Sequence, residues 1–356
     1  MDISFFNADN TKILANEPNA YEWWYADFMD SASGLTGVII FYNGNLFSPA
    51  YIQAQIAEND NVPENFPAIS ISLYKDNKPY YYSFLEFKKQ DASYTELANK
   101  MQYTVGENSL VFDTTTRSLV IKANQLLASS DTLMLDLSFT SAIKVEEGTM
   151  NIPSVQTNSS HTWKCIIPNA TVEGQIDVND EIFELKTAKG YHDHNAGLEP
   201  LHHFFTDWYW GRVHLPATEE TLVFYSYAVE NALQTNGWII DKNGVFTPIK
   251  TGTYTNFKKN LFGFSRATKI QLSDRFLLNF DKIVDKGPFY ERYICSLSDL
   301  AIPENKTSGI AEYIYPKSIY KTWAHKLVNL RMRYVYKKAH AVLKSKIMYR
   351  FTWKLL

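Results

Sequence analysis

The sequence predicts an all-β protein: two antiparallel β-barrel or sandwich domains followed by a basic amphipathic helix. Short runs rich in β-branched and aromatic residues recur with turn signals between them, helical periodicity is scarce before residue 317, and 15% of the 356 residues are aromatic. Aromatic residues favour strands and also line pockets for lipophilic ligands. The predicted strands are 36–42, 68–74, 80–87, 118–122, 132–139 and 221–227, with a hairpin loop at 75–78.

Chain length and a weak internal repeat favour two β domains. The length suffices for two domains, and a cluster of an acid with aromatic residues precedes a strand-rich segment twice, at 22–25 and at 207–210. Chance in an aromatic-rich chain would also explain this repeat. The polar stretch 146–160 is the best position for a boundary. We therefore predict domains at 1–150 and 151–316, with an acid and aromatic site in the second, and a separate tail at 317–356.

The tail differs from the rest of the chain in charge. Residues 317–356 contain 11 Lys and Arg and no Asp or Glu, which leaves 24 basic and 38 acidic residues elsewhere. One helical stripe of the tail contains Trp323, Leu327, Leu330 and Tyr334. A basic amphipathic helix suits peripheral contact with an anionic membrane, and it equally suits packing on the protein body. No nucleic-acid-binding motif lies beside the tail, so a nucleic-acid partner is not expected.

The cysteines and the N-terminus predict a cytoplasmic protein. Cys165 and Cys295 are too few for a disulfide framework and are typical of free thiols in a reducing compartment. The first nine residues are acidic and lack the regions of a signal peptide. No apolar run is long enough to span a bilayer. If the tail binds lipid, we expect association with the inner membrane surface.

The segment 190–212 predicts the functional site, because it places an acid, imidazoles and large aromatic rings in a short span. Six of the eight histidines fall between residues 161 and 214. Residues two apart in a strand share a face, so Tyr191, Asp193 and Asn195 point one way. A structural reading is also open, in which the Asp193 carboxylate caps a turn.

Other chemistries are less well supported by the sequence. His-x-His is a legitimate metal-ligand pair, but no further ligand at a fixed offset is evident. The histidines concerned are His192, His194, His202, His203 and His214. No Gly-x-Ser-x-Gly nucleophile elbow and no Gly-rich loop before a helix occurs. Cys165 shares a strand face with His161, yet a small buried core residue is the better interpretation.

Four motifs in order resemble a known family. They are Glu22-Trp23-Trp24-Tyr25; His161-Thr162-Trp163-Lys164-Cys165 before Pro168; Gly190-Tyr191-x-Asp193-x-Asn195-x-Gly197; and Trp208-x-Trp210-Gly211-Arg212. Together, over roughly residues 20–315, they resemble the carotenoid 1,2-hydratase (hydroxyneurosporene synthase) family. Its lipocalin-like relatives include tocopherol cyclases and lipocalin-like Diels–Alderases. The resemblance implies two lipocalin-like β domains, a ligand cavity, a lipophilic unsaturated substrate, and no organic or metal cofactor.

The resemblance also implies the site residues. The catalytic set falls on His161, Trp163, Tyr191 and Asp193. His161 and Trp163 would alternatively be core residues of a strand. The predicted substrate-binding residues are Asn195, Trp208, Trp210, Trp24 and Tyr25, of which the last four also suit packing of the barrel or of the domain interface.

These residue types suit the protonation of an alkene. An ionised carboxylate is no acid, but burial in an apolar cavity raises the pKa of an Asp and keeps it protonated. Trp163 and Tyr191 could face the resulting cation, and His161 could hold the water that adds, or hold Asp193 in its acid form. The predicted function is therefore hydration or cyclisation of a polyene or isoprenoid. A pericyclase that folds a polyene in its cavity and a non-catalytic carrier of a lipophilic ligand are the alternatives.

Overall fold

The computed structural model describes residues 2–5, 17–143, 154–155, 161–229 and 232–355. Within these residues the chain forms two β-sheets, each curled into a half-barrel, and few helices. The predicted all-β class is confirmed, and each of the six predicted strands overlaps an observed one. The hairpin at 75–78 turns at Asp76 and Asn77, with φ of 51° and 59°, as a two-residue hairpin loop requires.

The first sheet contains all thirteen described strands of the first 200 residues. In chain order they are β1 (Asp2–Phe5), β2 (Tyr21–Asp30), β3 (Leu35–Asn43), β4 (Ala68–Lys75), β5 (Lys78–Glu86), β6 (Ala92–Leu97), β7 (Lys100–Val105), β8 (Asn108–Asp113), β9 (Ser118–Leu126), β10 (Thr132–Ser141), β11 (Ser154–Val155), β12 (His161–Val178) and β13 (Glu181–Gly197). Antiparallel neighbours follow the order β5-β4-β3-β2-β13-β12-β10-β9-β8-β7-β6, while β1 runs parallel to β12. Helix α1 (Pro49–Ala57) connects β3 with β4.

The second sheet follows in the chain. Its strands are β14 (Trp208–Leu215), β15 (Glu220–Val229), β16 (Ala232–Ile240), β17 (Phe246–Ile249), β18 (Gly252–Lys259), β19 (Ser265–Leu272), β20 (Phe276–Lys286), β21 (Tyr290–Asp299) and β22 (Lys306–Ile314). They pair in antiparallel fashion in the order β17-β16-β15-β14-β22-β21-β20-β19-β18. This sheet has its own core of buried side chains, including Phe224, Ile270 and Tyr313.

The compact units follow the sheets. The described parts of Met1–Ala142, Pro153–Pro200 and His325–Leu355 form one unit, and those of Ile143–Ile152 and Leu201–Ala324 form the other. The predicted boundary stretch 146–160 lies outside the described residues, apart from Ser154 and Val155. Residues 161–200, which the sequence assigns to the second domain, lie in the first unit. The reason is register: β13 pairs with β2 from Lys189↔Met29 to Gly197↔Tyr21.

The tail is not one continuous helix. It forms α2 (Thr322–Val328), β23 (Arg333–Tyr334), α3 (Ala341–Lys344) and α4 (Lys346–Leu355). The predicted stripe is therefore broken after Val328, because the chain turns there and β23 then pairs in parallel with the edge of β5. Leu330 lies in the turn and Tyr334 in β23. Among the described helices, the predicted stripe thus overlaps α2 alone, and the basic helix at the C-terminal end of the tail is α4.

The last helix packs on the first unit. The rings of Tyr349 and Trp353 lie against the ring of Tyr82, at centroid distances of 6.5 and 6.2 Å. Lys346 Nζ and Arg350 Nη2 lie 3.0 and 2.9 Å from Asp131 Oδ1. Aromatic burial and two ion pairs to one buried carboxylate thus fix α4 on the sheet.

Glu86 gives the tail contact a predicted dependence on pH. This carboxyl is buried, and Tyr336 Oη of the tail donates to its Oε1 at 3.1 Å. Burial raises the pKa of Glu86 to about 7, against the opposing effects of hydrogen bonds from Ser48 and Tyr336 and of the charge of Lys337. The folded pKa lies above the unfolded one of about 4.3, so the folded state binds the extra proton between these values. The stability that this proton confers is present below pH 4 and is lost as the pH rises to about 7.

We expect Glu86→Gln to remove this loss, because the amide stays neutral and still accepts from Tyr336. The free energy of unfolding of the variant relative to wild type should rise by about 1–3 kcal/mol between pH 5 and pH 8. Urea denaturation at both pH values measures this difference. Parallel pH profiles for the two proteins would contradict the assignment of the shift to Glu86.

Candidate active site

The candidate site lies on one face of three neighbouring strands of the first unit. The register pairs Cys165 and Tyr25 with Asp193, and Trp163 with Asn195. Directly paired residues of antiparallel strands point to the same face. The structure therefore brings six of the nine predicted site residues to one face of β2, β12 and β13. The six are Tyr25, His161, Trp163, Tyr191, Asp193 and Asn195.

The Asp193 carboxyl is the centre of this face and is 3% exposed. Trp163 Nε1 donates to its Oδ2 at 2.9 Å, and Tyr191 Oη donates to the same oxygen at 2.9 Å. Asn195 Nδ2 donates to Oδ1 at 2.8 Å. The indole and the amide nitrogen can only donate, so these groups fix the orientation of the carboxyl.

Aromatic rings surround the carboxyl. Tyr25 meets Tyr191 edge-on at 6.1 Å, and Phe5 of β1 meets Trp163 edge-on at 5.6 Å. Burial and the adjacent Asp193 carboxyl raise the pKa of Tyr191 well above its ordinary value, so its hydroxyl keeps its proton and remains a donor. Burial likewise raises the pKa of the Cys165 thiol, which agrees with a buried core residue and not with a nucleophile.

His161 is held by a residue that the sequence interpretation missed. Its Nδ1 is hydrogen-bonded to Tyr21 Oη at 2.8 Å, and burial lowers its pKa to about 3, so the imidazole is neutral at pH 7. Gly197 makes room for this contact, because a Cβ at that position would lie 2.2 Å from Tyr21 Oη. The last glycine of the motif and Tyr21 thus together position His161. Alternation from Tyr25 back to Tyr21 was the available sequence signal.

The opposite face of β13 carries His192 and His194, which join β13 to β2. His192 Nδ1 donates to the backbone oxygen of Tyr25 at 2.8 Å, and burial lowers the pKa of His192 to about 3. His194 Nε2 lies 2.7 Å from Glu22 Oε1, with both side chains fully buried. These two histidines therefore have cross-strand partners. Within the described residues, no three His, Cys, Asp or Glu side chains converge as a metal site would need.

Trp24 belongs to this opposite face and not to the face of Asp193. Its ring stacks on His194 at 4.9 Å and packs in the hydrophobic core of the first unit. Its neighbour Tyr25 lies on the Asp193 face because adjacent strand residues alternate. The structure thus separates the two predicted substrate-binding residues of the first motif.

A comparison with protein families decides the family of this chain. A family model described as carotenoid hydratase CrtC matches residues 38–340. The chain belongs to the carotenoid hydratase CrtC family. The match extends beyond the limit of about residue 315 inferred from the motifs, so the family sequence includes the first part of the tail, up to residue 340. Membership supports an enzyme of the hydratase type.

Individual relatives agree with this family. A protein of Chlorobaculum tepidum named hydroxyneurosporene dehydrogenase is 24% identical over 328 residues, which cover 84% of this chain and 83% of the relative. Among solved structures, CghA with Sch210972 has a TM-score of 0.60 at 11% identity, covering 84% of this chain and 89% of its own. Kievitone hydratase from Nectria haematococca has a TM-score of 0.54 at 14% identity, covering 84% and 90%. At these identities the structures show a shared fold, and the predicted lipocalin-like class is confirmed.

Trp208 and Trp210 lie on β14 in the second unit. They belong to the last of the four motifs that resemble the carotenoid hydratase family. Both are buried, and they share one face of the strand. Trp208 stacks on Tyr225 at 6.2 Å and meets Phe205 edge-on at 5.5 Å. Each contact lies within the second unit, and a role in substrate binding stays a prediction.

Within the described residues, no helix has the length and apolar character needed to cross a bilayer.

Proposed function

We propose that this chain protonates a carbon–carbon double bond of a lipophilic polyene or isoprenoid, and that hydration or intramolecular cyclisation then quenches the cation. The observation that carries the proposal is the buried Asp193 carboxyl, oriented by Trp163, Tyr191 and Asn195. Membership of the carotenoid hydratase family supports an isoprenoid as the substrate class.

Asp193 is the proposed acid. The protonated carboxyl gives its proton to one alkene carbon, the π electrons form the new C–H bond, and the other carbon becomes a tertiary cation. The carboxylate remains hydrogen-bonded to Trp163 and Tyr191, whose donors stabilise its negative charge. Water then adds to the cation and loses a proton to the carboxylate, which restores the acid. Atoms and charge balance without a cofactor in these steps.

The aromatic residues of the face are the proposed cation stabilisers. Tyr25, Tyr191 and Trp163 present π systems on the same face as the carboxyl, and a cation over such a ring gains about 0.5–2 kcal/mol, more when water is excluded. If the substrate carries its own second alkene or hydroxyl, that group quenches the cation and closes a ring. Hydration and cyclisation therefore differ in the nucleophile alone.

Asn195 is the proposed acceptor for that nucleophile. Its amide nitrogen donates to Asp193 Oδ1, while its own Oδ1 is buried and has no hydrogen-bond partner among the residues that the structure describes. A buried carbonyl oxygen without a partner costs free energy unless a ligand or water donates to it. A water molecule or a substrate hydroxyl beside Asp193 would satisfy this oxygen. The acid and the acceptor would then act on neighbouring atoms of the substrate.

Incubation in deuterated water tests the proposal. The carboxyl exchanges its proton with solvent, so the alkene receives a deuteron. We expect acyclic carotenoids or shorter acyclic isoprenoids to give an enzyme-dependent product with one carbon-bound deuterium per protonated alkene, measured by mass spectrometry after back-exchange in ordinary water. Heat-inactivated enzyme is the control. An enzyme-dependent isomer without deuterium would overturn alkene protonation and favour a pericyclic reaction. Ligand binding without turnover would favour a carrier.

A further inference from the structure

The outward face of α4 points to a docking surface for a lipid bilayer. We propose that the apolar ridge formed by Ile347, Met348 and Phe351 inserts into the headgroup region of an anionic membrane. These side chains are 82%, 50% and 56% exposed. Phe351 follows Ile347 by four residues and Met348 by three, and these spacings place helical side chains on one side of the helix. Exposed large apolar side chains grouped on one helical face mark an interaction surface.

The inward face of α4 holds the ridge in position. Tyr349, Thr352 and Trp353 are buried, and Tyr349 Oη donates to the backbone oxygen of Arg331 at 3.1 Å. Lys346 and Arg350 anchor the first half of the helix on Asp131. The helix therefore need not detach in order to present its apolar ridge. Packing on the protein body and contact with a membrane, which the sequence leaves as alternatives, are compatible because they use opposite faces.

Charge favours an anionic bilayer as the occupant. Residues 317–356 contain 11 basic side chains and no acidic one. Among the side chains that the structure describes in the first unit, the exposed lysines of the tail are Lys326, Lys337, Lys338, Lys344 and Lys346. Basic side chains are attracted to anionic headgroups, while an apolar ridge of this size enters the boundary with the acyl chains. A bilayer supplies both chemistries at once, and it is also where a lipophilic substrate would be dissolved.

Vesicle flotation with the full chain tests this surface, and it needs no substrate. Failure here would therefore leave the proposed reaction untouched, and failure of the reaction would leave this surface untouched. We expect binding to vesicles of phosphatidylcholine with phosphatidylserine, and much weaker binding to phosphatidylcholine alone. The double variant Ile347→Ser with Phe351→Ser should lower the partition coefficient at least about tenfold. Lys338→Gln with Lys344→Gln should weaken binding to the anionic vesicles alone.

A matched control separates the ridge from general surface hydrophobicity. Leu97 and Leu126 are both 75% exposed on strands of the first unit, and Leu97→Ser with Leu126→Ser should bind vesicles as wild type does. Near-ultraviolet circular dichroism checks that each variant is folded. Equal binding by wild type and the ridge variant would overturn the proposal, as would equal binding to neutral and anionic vesicles. A dimer in sedimentation that the ridge substitutions abolish, without vesicle binding, would assign the ridge to a second copy instead.

Discussion

Asp193→Asn is expected to lower the rate of product formation by about 10²–10⁴-fold, because the amide has no acidic proton to give to an alkene. The substitution keeps the size and shape of the side chain, so the aromatic face around it stays in place. The wild type and the variant are compared by single-turnover assays in deuterated water. We expect the carbon-bound deuterium to decrease in proportion to the rate.

The same substitution should also reduce stability, for a reason that the hydrogen bonds make explicit. In the wild type, Trp163 and Tyr191 donate to one carboxyl oxygen and Asn195 donates to the other. An amide at position 193 offers one acceptor oxygen and brings its own NH₂ group toward one of these donors. A buried donor without an acceptor costs about 1–3 kcal/mol. The loss of rate must therefore be measured at a temperature where the variant is folded.

Trp163→Phe is the matched control for this effect. It removes one donor to Asp193 but keeps an aromatic ring and the acid itself. We expect a loss of stability similar to that of Asp193→Asn, with a much smaller loss of rate, on the order of tenfold. If the two substitutions lowered the rate of product formation by the same factor, catalysis would depend more on an intact hydrogen-bond network than on the acidic proton of Asp193. If Asp193→Asn kept nearly the wild-type rate, Asp193 would not be the proton donor.

Strand periodicity was sufficient to predict which residues share the candidate face. Alternation places Tyr191, Asp193 and Asn195 together within β13, and places His161 with Trp163 within β12. These are relations between residues a few positions apart, so local backbone geometry decides them. The all-β class was predictable for the same reason, because each strand carries its own signal of β-branched and aromatic residues.

Contacts between distant strands were not predictable in this way, because they depend on register. Tyr21 reaches His161, and Glu22 reaches His194, only because β2 pairs with β13 at Gly197↔Tyr21 and onward. A shift of one residue would exchange the two faces of β2. The five histidines that suggested metal chemistry illustrate the point. In the structure, His192 and His194 contact β2, and no local pattern identifies those partners.

In the tail, helical periodicity predicts a longer helix than the structure contains. Trp323, Leu327, Leu330 and Tyr334 have helical spacing, yet the helix ends at Val328. Pairing of Arg333 and Tyr334 with the edge of β5 provides backbone hydrogen bonds in place of those of a helix. Only tertiary context, which the spacing does not contain, decides between these two outcomes.

Glu22→Ala is expected to destabilise the first unit by about 3–5 kcal/mol, because it removes one partner of a fully buried pair. Glu22 Oε1 and His194 Nε2 lie 2.7 Å apart, and both side chains are 0% exposed. The substitution leaves the His194 imidazole in the core without this carboxyl group and creates a cavity beside His194. Urea denaturation of the full chain measures the loss of stability. Activity should fall as well, since His194 lies between Asp193 and Asn195 on β13.

Two companion variants make this prediction specific to the buried pair. Glu22→Gln keeps an oxygen that accepts from His194, so its cost should be clearly smaller than that of Glu22→Ala. Glu181→Ala removes the partner of Lys75 from an exposed ion pair at 2.5 Å, and it should leave stability close to wild type because water screens that pair. A Glu22→Ala variant as stable as Glu181→Ala would mean that packing alone aligns β2 with β13. Hydrophobic contacts and backbone pairing would then set the geometry of the Asp193 face, and the Glu22–His194 pair on the opposite face would not.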